Sequence, residues 1–99
     1  MKKHKIVFLP AARYDLFALY DYIADRSDPA IAGGFIDRIE AACNRLATFP
    51  ERGTKRDDIR KGIRTLGFER RATIAFQVND VEVVIVRILY GGRDYETSL

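Results

Sequence analysis

Arg87, Tyr90, Arg93, Asp94 and Tyr95 fall within one ten-residue stretch, RILYGGRDYE at positions 87–96. A run of branched apolar residues from Val81 leads into it and stops at Gly91-Gly92. Cations and phenols held at the end of a rigid strand can grip a polar or anionic target. The glycine pair relieves the steric limits on the backbone where such a strand leaves its sheet. Arg93 and Asp94 can equally pair with each other and pin the terminal segment. Both readings of the Gly91-Gly92-Arg93-Asp94 tail stand open. As a base, a tyrosine with an ordinary pKa of ~10 is poor unless its surroundings shift it.

A second concentration of charge lies upstream. Residues 52–71 hold eight of the seventeen basic residues (Arg52, Lys55, Arg56, Arg60, Lys61, Arg64, Arg70 and Arg71) against three acids, a local excess of +5 in a chain of net charge +3. Such a patch suits nucleic acid or an acidic protein segment. It is equally what a solvated loop looks like. Asp57-Asp58 sits among these arginines and reads as charge balance rather than as a general acid and base.

Much chemistry is excluded. One histidine and one cysteine cannot supply the three or four nitrogen and sulfur ligands of a zinc site. His4 lies in a basic terminus and is expected to be inert, and Cys43 falls on an apolar stripe and reads as a small core residue. No G-x-G-x-x-G and no Walker loop is present, so there is no nucleotide cradle. No metal, cofactor or small-molecule substrate is expected, and classical hydrolase, kinase and dehydrogenase chemistry is set aside. The apolar run Ile6–Leu9 is too short for a signal peptide, and none reaches the roughly 18 residues of a membrane helix. With a single cysteine, a cytoplasmic protein without internal disulfides is expected.

The elements that position these residues follow from periodicity. At 99 residues, 47% apolar and 31% charged, the chain is expected to form one globular domain, 1–99. Lys5–Leu9 reads as a strand stopped by Pro10. Ala12, Leu16, Leu19, Tyr20 and Ile23 recur at helical spacing, with Arg13, Asp15, Asp21 and Asp25 off that stripe. Asp28 is a candidate N-cap before Pro29, and Ala32, Phe35, Ile36, Ile39, Cys43 and Leu46 form a second stripe. Gly33-Gly34 inside that helix marks a close helix–helix approach or a frayed first turn. The pattern then alternates: Ile63–Phe68, Thr73–Val78, a two-residue turn at Asn79-Asp80, and a long strand Val81–Tyr90. That strand is apolar on both faces, with Val84, Val86 and Ile88 on one and Val83, Ile85 and Leu89 on the other, so it should be central and covered. The expected fold is α+β, β-α-α-β-β-β, a helical hairpin on a small, mainly antiparallel sheet. Leu16, Leu19, Ile23, Phe35, Ile39 and Leu46 should pack on Ile74, Phe76 and Val86. Tyr14, Phe17 and Tyr22 stand off the core stripe of the first helix, as ordinary surface aromatics or as anchors for a partner.

The whole chain resembles the ParE branch of the RelE/ParE superfamily, toxins of type II toxin–antitoxin systems. LPAARYDLFALYDYIAD looks like the family's first helix, with Pro10, Ala12, Asp15, Leu16, Tyr22 and Ile23 in place. DPAIAGGFIDRIEAACNRLATFPERG looks like the second, with Ala32, Phe35, Ile39, Leu46, Pro50 and Gly53 matching. IRKGIRTLGFERRATIAFQVNDVEVVIVRILYGGRD resembles the three-stranded C-terminal half, carrying Arg60, Arg87-Ile88-Leu89-Tyr90-Gly91 and Arg93-Asp94. The ordered set over about ninety residues carries the resemblance. Two features depart from it: Tyr90, where members often carry histidine, and the glycine pair in the second helix.

What the resemblance implies divides on mechanism, which a fold does not decide. ParE-like members are implied to poison DNA gyrase by binding, trapping its cleaved DNA complex, and to serve in plasmid stabilisation. RelE-like members cleave messenger RNA on the ribosome, which needs a base, an acid and cations around a pentavalent phosphorane. For the second mechanism this chain offers Arg64, Arg71, Arg87, Tyr90, Arg93 and Tyr95, without a histidine. The GGRD ending looks more like ParE. Gyrase inhibition without catalytic residues is therefore expected, with Arg87, Tyr90, Arg93, Asp94 and Tyr95 as target contacts. The alternatives are a RelE-like endonuclease using Arg64, Arg87, Tyr90 and Arg93, or a non-toxic nucleic-acid-binding module. A cognate ParD-like antitoxin is expected to form a hetero-oligomer, anchored on Tyr14, Phe17 and Tyr22 and steered by Lys55, Arg56 and Lys61.

Overall fold

The computed structural model describes residues 3–91. In chain order these form β1 (Lys5–Phe8), α1 (Pro10–Arg26), α2 (Pro29–Arg45), β2 (Thr54–Lys55), β3 (Ile63–Phe68), β4 (Ala72–Val78) and β5 (Glu82–Tyr90). The five strands make one sheet in the order β1-β5-β4-β3-β2. β1 runs parallel to β5, and every other pair is antiparallel. The expected helical hairpin on a mainly antiparallel sheet is therefore present. β2, two residues long, is the strand that the sequence pattern does not announce.

Helix boundaries follow from local chemistry. Leu9 is extended and Pro10 opens α1, a position where its missing N–H is not needed. The helix closes at Ser27, whose backbone N–H and hydroxyl both donate to the Ile23 carbonyl. One residue later the Asp28 carboxylate accepts from the Ile31 N–H at 2.8 Å and caps α2, with Pro29 at its first position. So short a link folds the helices back on each other. Gly33 and Gly34 lie inside α2 rather than at a frayed end, and they serve no close approach. A Cβ on Gly33 would meet nothing within 4 Å, and one on Gly34 only the Arg38 side chain, at 3.6 Å.

The main core lies between the hairpin and one sheet face. Ala12, Leu16, Leu19 and Ile23 of α1 and Ala32, Phe35, Ile39, Ala42 and Cys43 of α2, with Leu46, pack on Ile74, Phe76, Val83, Ile85 and Ile88. A smaller cluster on the opposite face joins Ile63, Ala75 and Val86, with Leu9, Ile59 and Val84 against it.

Val83, Ile85 and Ile88 share one face although their spacing changes parity, because β5 contains a β-bulge. Ile85 pairs with Phe76 and Arg87 with Ala75, which leaves Val86 as the extra residue. The strict alternation expected for this strand therefore does not hold. Val86 packs on the far face, not under the helices, and Ile88 moves to the helical side. The bulge re-aims every side chain downstream of it, Tyr90 included.

Turn chemistry shapes the remaining edges. The β4–β5 connection is wider than two residues: the Asn79 side-chain oxygen accepts from the N–H groups of Val81 and Glu82 at 2.9 and 2.8 Å, and the strand starts at Glu82. Between β3 and β4, Glu69 and Arg70 both adopt positive φ, 49° and 57°, with the Arg71 N–H bonded to the Phe68 carbonyl. This has the form of a type I′ turn made without glycine. Gly53 has φ +78°, and a Cβ there would stand 2.4 Å from the Thr65 carbonyl oxygen, so the chain before β2 lies hard against β3.

Candidate functional site

β1 pairs only with residues 82–85 of β5. Beyond Ile85 the edge of β5 faces α1, and there Asp15 takes a strand's place. Its carboxylate accepts from the Ile88 N–H at 2.9 Å and, bidentate, from the Arg87 guanidinium at 2.7 and 2.9 Å. Asp15 does stand off the apolar stripe of α1, but its side chain is only 12% exposed and that of Arg87 26%, so this is an inward-facing pair. The hydrogen bond to Asp15, opposed by partial burial and helped by its charge, holds the Arg87 guanidinium protonated above the usual arginine range. Asp15, Ala18, Leu19, Tyr22, Ile88, Tyr90 and Gly91 line the adjoining pocket.

Tyr90 belongs to a run of edge-to-face rings. Tyr22, Tyr90, Phe35 and Phe68 follow one another with centroids 5.5, 6.1 and 5.6 Å apart. Arg26 stacks over Tyr22 at 3.7 Å, and Arg38 and Arg71 approach Phe35 at 5.5 and 6.0 Å. Packing of this kind fixes the end of β5 through both helices. Gly91 then turns at φ +75° and donates its N–H to the Arg71 carbonyl at 2.8 Å. Arg93, Asp94 and Tyr95, three of the expected target contacts, lie outside the described residues, as does Gly92.

Of the described residues considered for RNA cleavage, Arg71 and Tyr90 both approach Phe35, whereas Arg64 and Arg87 do not come together. Arg64 pairs with Phe76, a residue of the helical side, whereas Arg87 pairs with Ala75, a residue of the far-face cluster. Cross-strand partners share a face, so Arg64 and Arg87 leave the sheet on opposite sides. Arg64 is spent on the chain before β2, donating to the carbonyls of Glu51 and Arg52 at 3.2 and 3.3 Å. Tyr90 turns to the rings of α1 and α2.

The three off-stripe aromatics of α1 also separate. Tyr14 and Phe17 are 72% and 70% exposed. Phe17 lines an open groove with Arg13, Leu16, Tyr20, Ile36 and Glu40, between α1 and α2. Tyr22, on the other flank of the helix, touches Tyr90 and Arg26 and remains 44% exposed. Lys55, Arg56 and Lys61 lie on β2 and its following loop, three strands from β5 or roughly 14 Å by strand spacing. Arg56 there is paired with Asp58 at 2.9 Å, and the hydrogen bond holds that carboxyl below the usual carboxylate range. Anchors and charges thus occupy different surfaces.

Cys43 is fully buried, and burial, aided by Glu40, pushes its thiol up to about 12. It is a core residue. His4 is tied down rather than loose, donating its N–H to the Ala47 carbonyl at 2.9 Å and lining a pocket with Lys55 and Arg64. Among the described residues no cluster of metal-ligating side chains occurs, and no helix is long and apolar enough to cross a membrane. Sequence reasoning missed the two residues that organise these surfaces. Asp15 was matched to the family's first helix but given no role there, since nothing local marks its contact with β5. Phe49, 58% exposed beside Arg52, was hidden as the residue before a helix-ending proline.

Comparison with known proteins places this geometry. The family profile of the ParE toxin of type II toxin–antitoxin systems, parDE, matches residues 6–95. The chain is 32% identical over 85 residues to Toxin ParE3 of Caulobacter vibrioides, covering 86% of this chain and 84% of that protein. In three dimensions it is similar to a chain of the chromosomal ParDE toxin–antitoxin system from P. aeruginosa, with a TM-score of 0.79, 27% identity, and coverage of 89% of this chain and 96% of that one. A chain of the RelBE2 toxin–antitoxin complex from Mycobacterium tuberculosis shares the fold at a TM-score of 0.60 and 20% identity, over 90% of this chain and 99% of that one. With the profile covering nearly the whole length, and the hairpin-on-sheet architecture matching, the chain belongs to the ParE toxin family of type II toxin–antitoxin systems.

Proposed function

We propose that this toxin acts by binding DNA gyrase and blocking replication, and that a cognate ParD-like antitoxin neutralises it. The observation that carries the reading is the scatter of the cleavage candidates. Arg64 and Arg87 leave opposite faces of the sheet, Arg87 is engaged by Asp15, and Tyr90 is packed among rings. Phosphoryl transfer needs its base, acid and cations gathered around one phosphorus, and the separation of Arg64 from Arg87 supports the binding reading. A binding toxin needs only a rigid platform. β5 is one, pinned by Asp15 on its edge and by the ring series at its end. Target contact falls to the end of that strand and the residues after it, Tyr90, Arg93, Asp94 and Tyr95, with Arg87 holding the base of the segment in position.

The antitoxin segment docks along the groove between α1 and α2, with Phe17 as its apolar anchor there and Tyr14 as a contact outside the groove on the same helix. Both are more than two-thirds exposed in the free toxin, as expected of residues a partner covers. The P. aeruginosa structure of similar fold is itself a ParDE toxin–antitoxin system. Reconstituted translation separates the two mechanisms. The gyrase reading predicts intact ribosome-bound messenger RNA after incubation with the toxin. Cuts at A-site codons, lost on Arg87→Ala or Tyr90→Phe, establish the nuclease instead.

A further inference from the structure

We infer that the β2 edge of the sheet is a surface for the phosphate backbone of a nucleic acid. The ribbon from Arg52 to Gly62 carries Arg52, Lys55, Arg56, Arg60 and Lys61. Its acids are engaged locally. Asp58 is gripped by Arg56 at 2.9 Å, and Asp57 accepts the Gly62 N–H at 2.8 Å. Glu69, the acid of the neighbouring β3–β4 turn, is held by Arg38 of α2 at 2.8 Å. Among the described residues, Arg52, Lys55, Arg60 and Lys61 therefore have no carboxylate partner. Four cations on one edge are exposed without an ion-pair partner, and with both aspartates still charged the ribbon keeps an excess of 5 − 2 = +3.

The ribbon is also held in shape. Arg64 clamps the carbonyls of Glu51 and Arg52, and at Gly53 the backbone approaches Thr65 too closely to admit a Cβ. The Arg56 N–H bonds the Ile63 carbonyl, and the Gln77 side chain bonds the Lys61 carbonyl at 3.3 Å. With its backbone fixed in this way, the ribbon pays no loop-ordering cost on meeting a polyanion. Beside it the Phe49 ring stands 58% exposed with the Arg52 guanidinium 5.8 Å from its centroid. An aromatic face next to a cation is what an unpaired base stacks upon.

An acidic protein segment is the competing occupant, and the surface suits it less. Such segments anchor through apolar side chains, yet the pocket at this edge is lined by His4, Glu51, Lys55, Arg64, Asn79 and Asp80 among others, a mainly polar set. The exposed apolar groove of the molecule lies on α1 and α2. Glu51 and Asp80 repel a polyanion at that pocket, which directs a strand along the Arg52–Lys61 side. This inference is independent of the gyrase reading, since it concerns the toxin and nucleic acid alone.

Fluorescence anisotropy tests it, using mixed-sequence single-stranded and duplex DNA of about 20 nucleotides and a labelled polyglutamate peptide, across a salt series. Four phosphate contacts predict a log–log salt slope of roughly −3 to −4. The triple variant Lys55→Ala, Arg60→Ala, Lys61→Ala removes roughly 2–3 of that slope and lowers affinity at low salt by at least about ten-fold, with its melting temperature unchanged. Phe49→Ala weakens single-strand binding about five-fold or more. Absence of DNA binding at low salt overturns the inference, as does a slope unaffected by the triple variant. Polyglutamate binding as tight as DNA, with the same loss in the triple variant, assigns the edge to an acidic protein segment. An unchanged single-strand affinity in Phe49→Ala removes base stacking from it.

Discussion

Asp15 and Arg87 stand 72 residues apart in sequence and share two hydrogen bonds, while the same carboxylate also takes the Ile88 N–H of β5. One side chain thus satisfies a strand edge that has no neighbour and neutralises the arginine beside it. Asp15→Ala removes the acceptor of the Ile88 N–H and the carboxylate that Arg87 grips in a partly buried setting, and should cost about 2–3 kcal/mol. Asp15→Asn keeps an acceptor for Ile88 but not the charge, and should cost about half as much. Urea unfolding of the two variants measures the difference. A loss under ~0.5 kcal/mol for Asp15→Ala makes the pair a surface ornament.

Glycines of this chain should respond with opposite signs. Gly33→Ala and Gly34→Ala fill open space in a helix interior, and each should stabilise by about 0.5–1 kcal/mol, raising Tm by a few degrees. Gly53→Ala forces a Cβ into the Thr65 carbonyl at a positive φ, and should destabilise by about 2 kcal/mol or more. Thermal melts of the three single variants decide it, and a destabilising Gly33→Ala is the result this account does not allow.

Cys43 gives stability an alkaline slope. Its thiol is raised to about 12 by burial, with Glu40 adding to the shift, whereas an unfolded thiol titrates at about 8.5. The folded protein therefore keeps a proton that the unfolded chain gives up. This contribution is complete below about pH 8.5 and is lost as pH rises toward 12, at a limiting slope of about 1.4 kcal/mol per pH unit. Cys43→Ala should flatten the alkaline limb relative to the parent, other groups being common to both. Parallel limbs in urea titrations between pH 8 and 11 contradict the assignment.

Antitoxin kinetics test the groove on α1 and α2. Phe17→Ala should raise the dissociation rate by about ten-fold or more, since buried aromatic anchors dominate binding energy. Tyr22→Ala should lower stability as well, because its ring packs edge-to-face on Tyr90 and under Arg26. Surface plasmon resonance with the cognate antitoxin reads both, and an unchanged off-rate in a folded Phe17→Ala places the segment elsewhere.

The helices were legible because their stripes are clean: Leu16, Leu19 and Ile23, then Phe35, Ile39 and Cys43, are the residues that pack. Capping by Asp28 was equally plain. The bulge at Val86 was not, since a strand apolar on both faces carries no parity for a slip to break. β2 is too short for a period to show. Asp15, Tyr22 and Tyr90 owe their roles to contacts between α1 and β5, and no local pattern reports those. Lys55, Arg56 and Lys61 stood near one another in sequence, but only the fold showed that Arg56 is bound to Asp58 and that the cluster sits apart from Phe17.

Gyrase poisoning is read by incubating purified toxin with gyrase and relaxed plasmid DNA and scoring the DNA, after protein denaturation, for supercoiling and for protein-linked double-strand breaks. A gyrase poison gives dose-dependent loss of supercoiling together with accumulation of cleaved DNA, both reversed by the cognate antitoxin. Undiminished supercoiling at a large molar excess of folded toxin, with no trapped cleavage, contradicts gyrase poisoning.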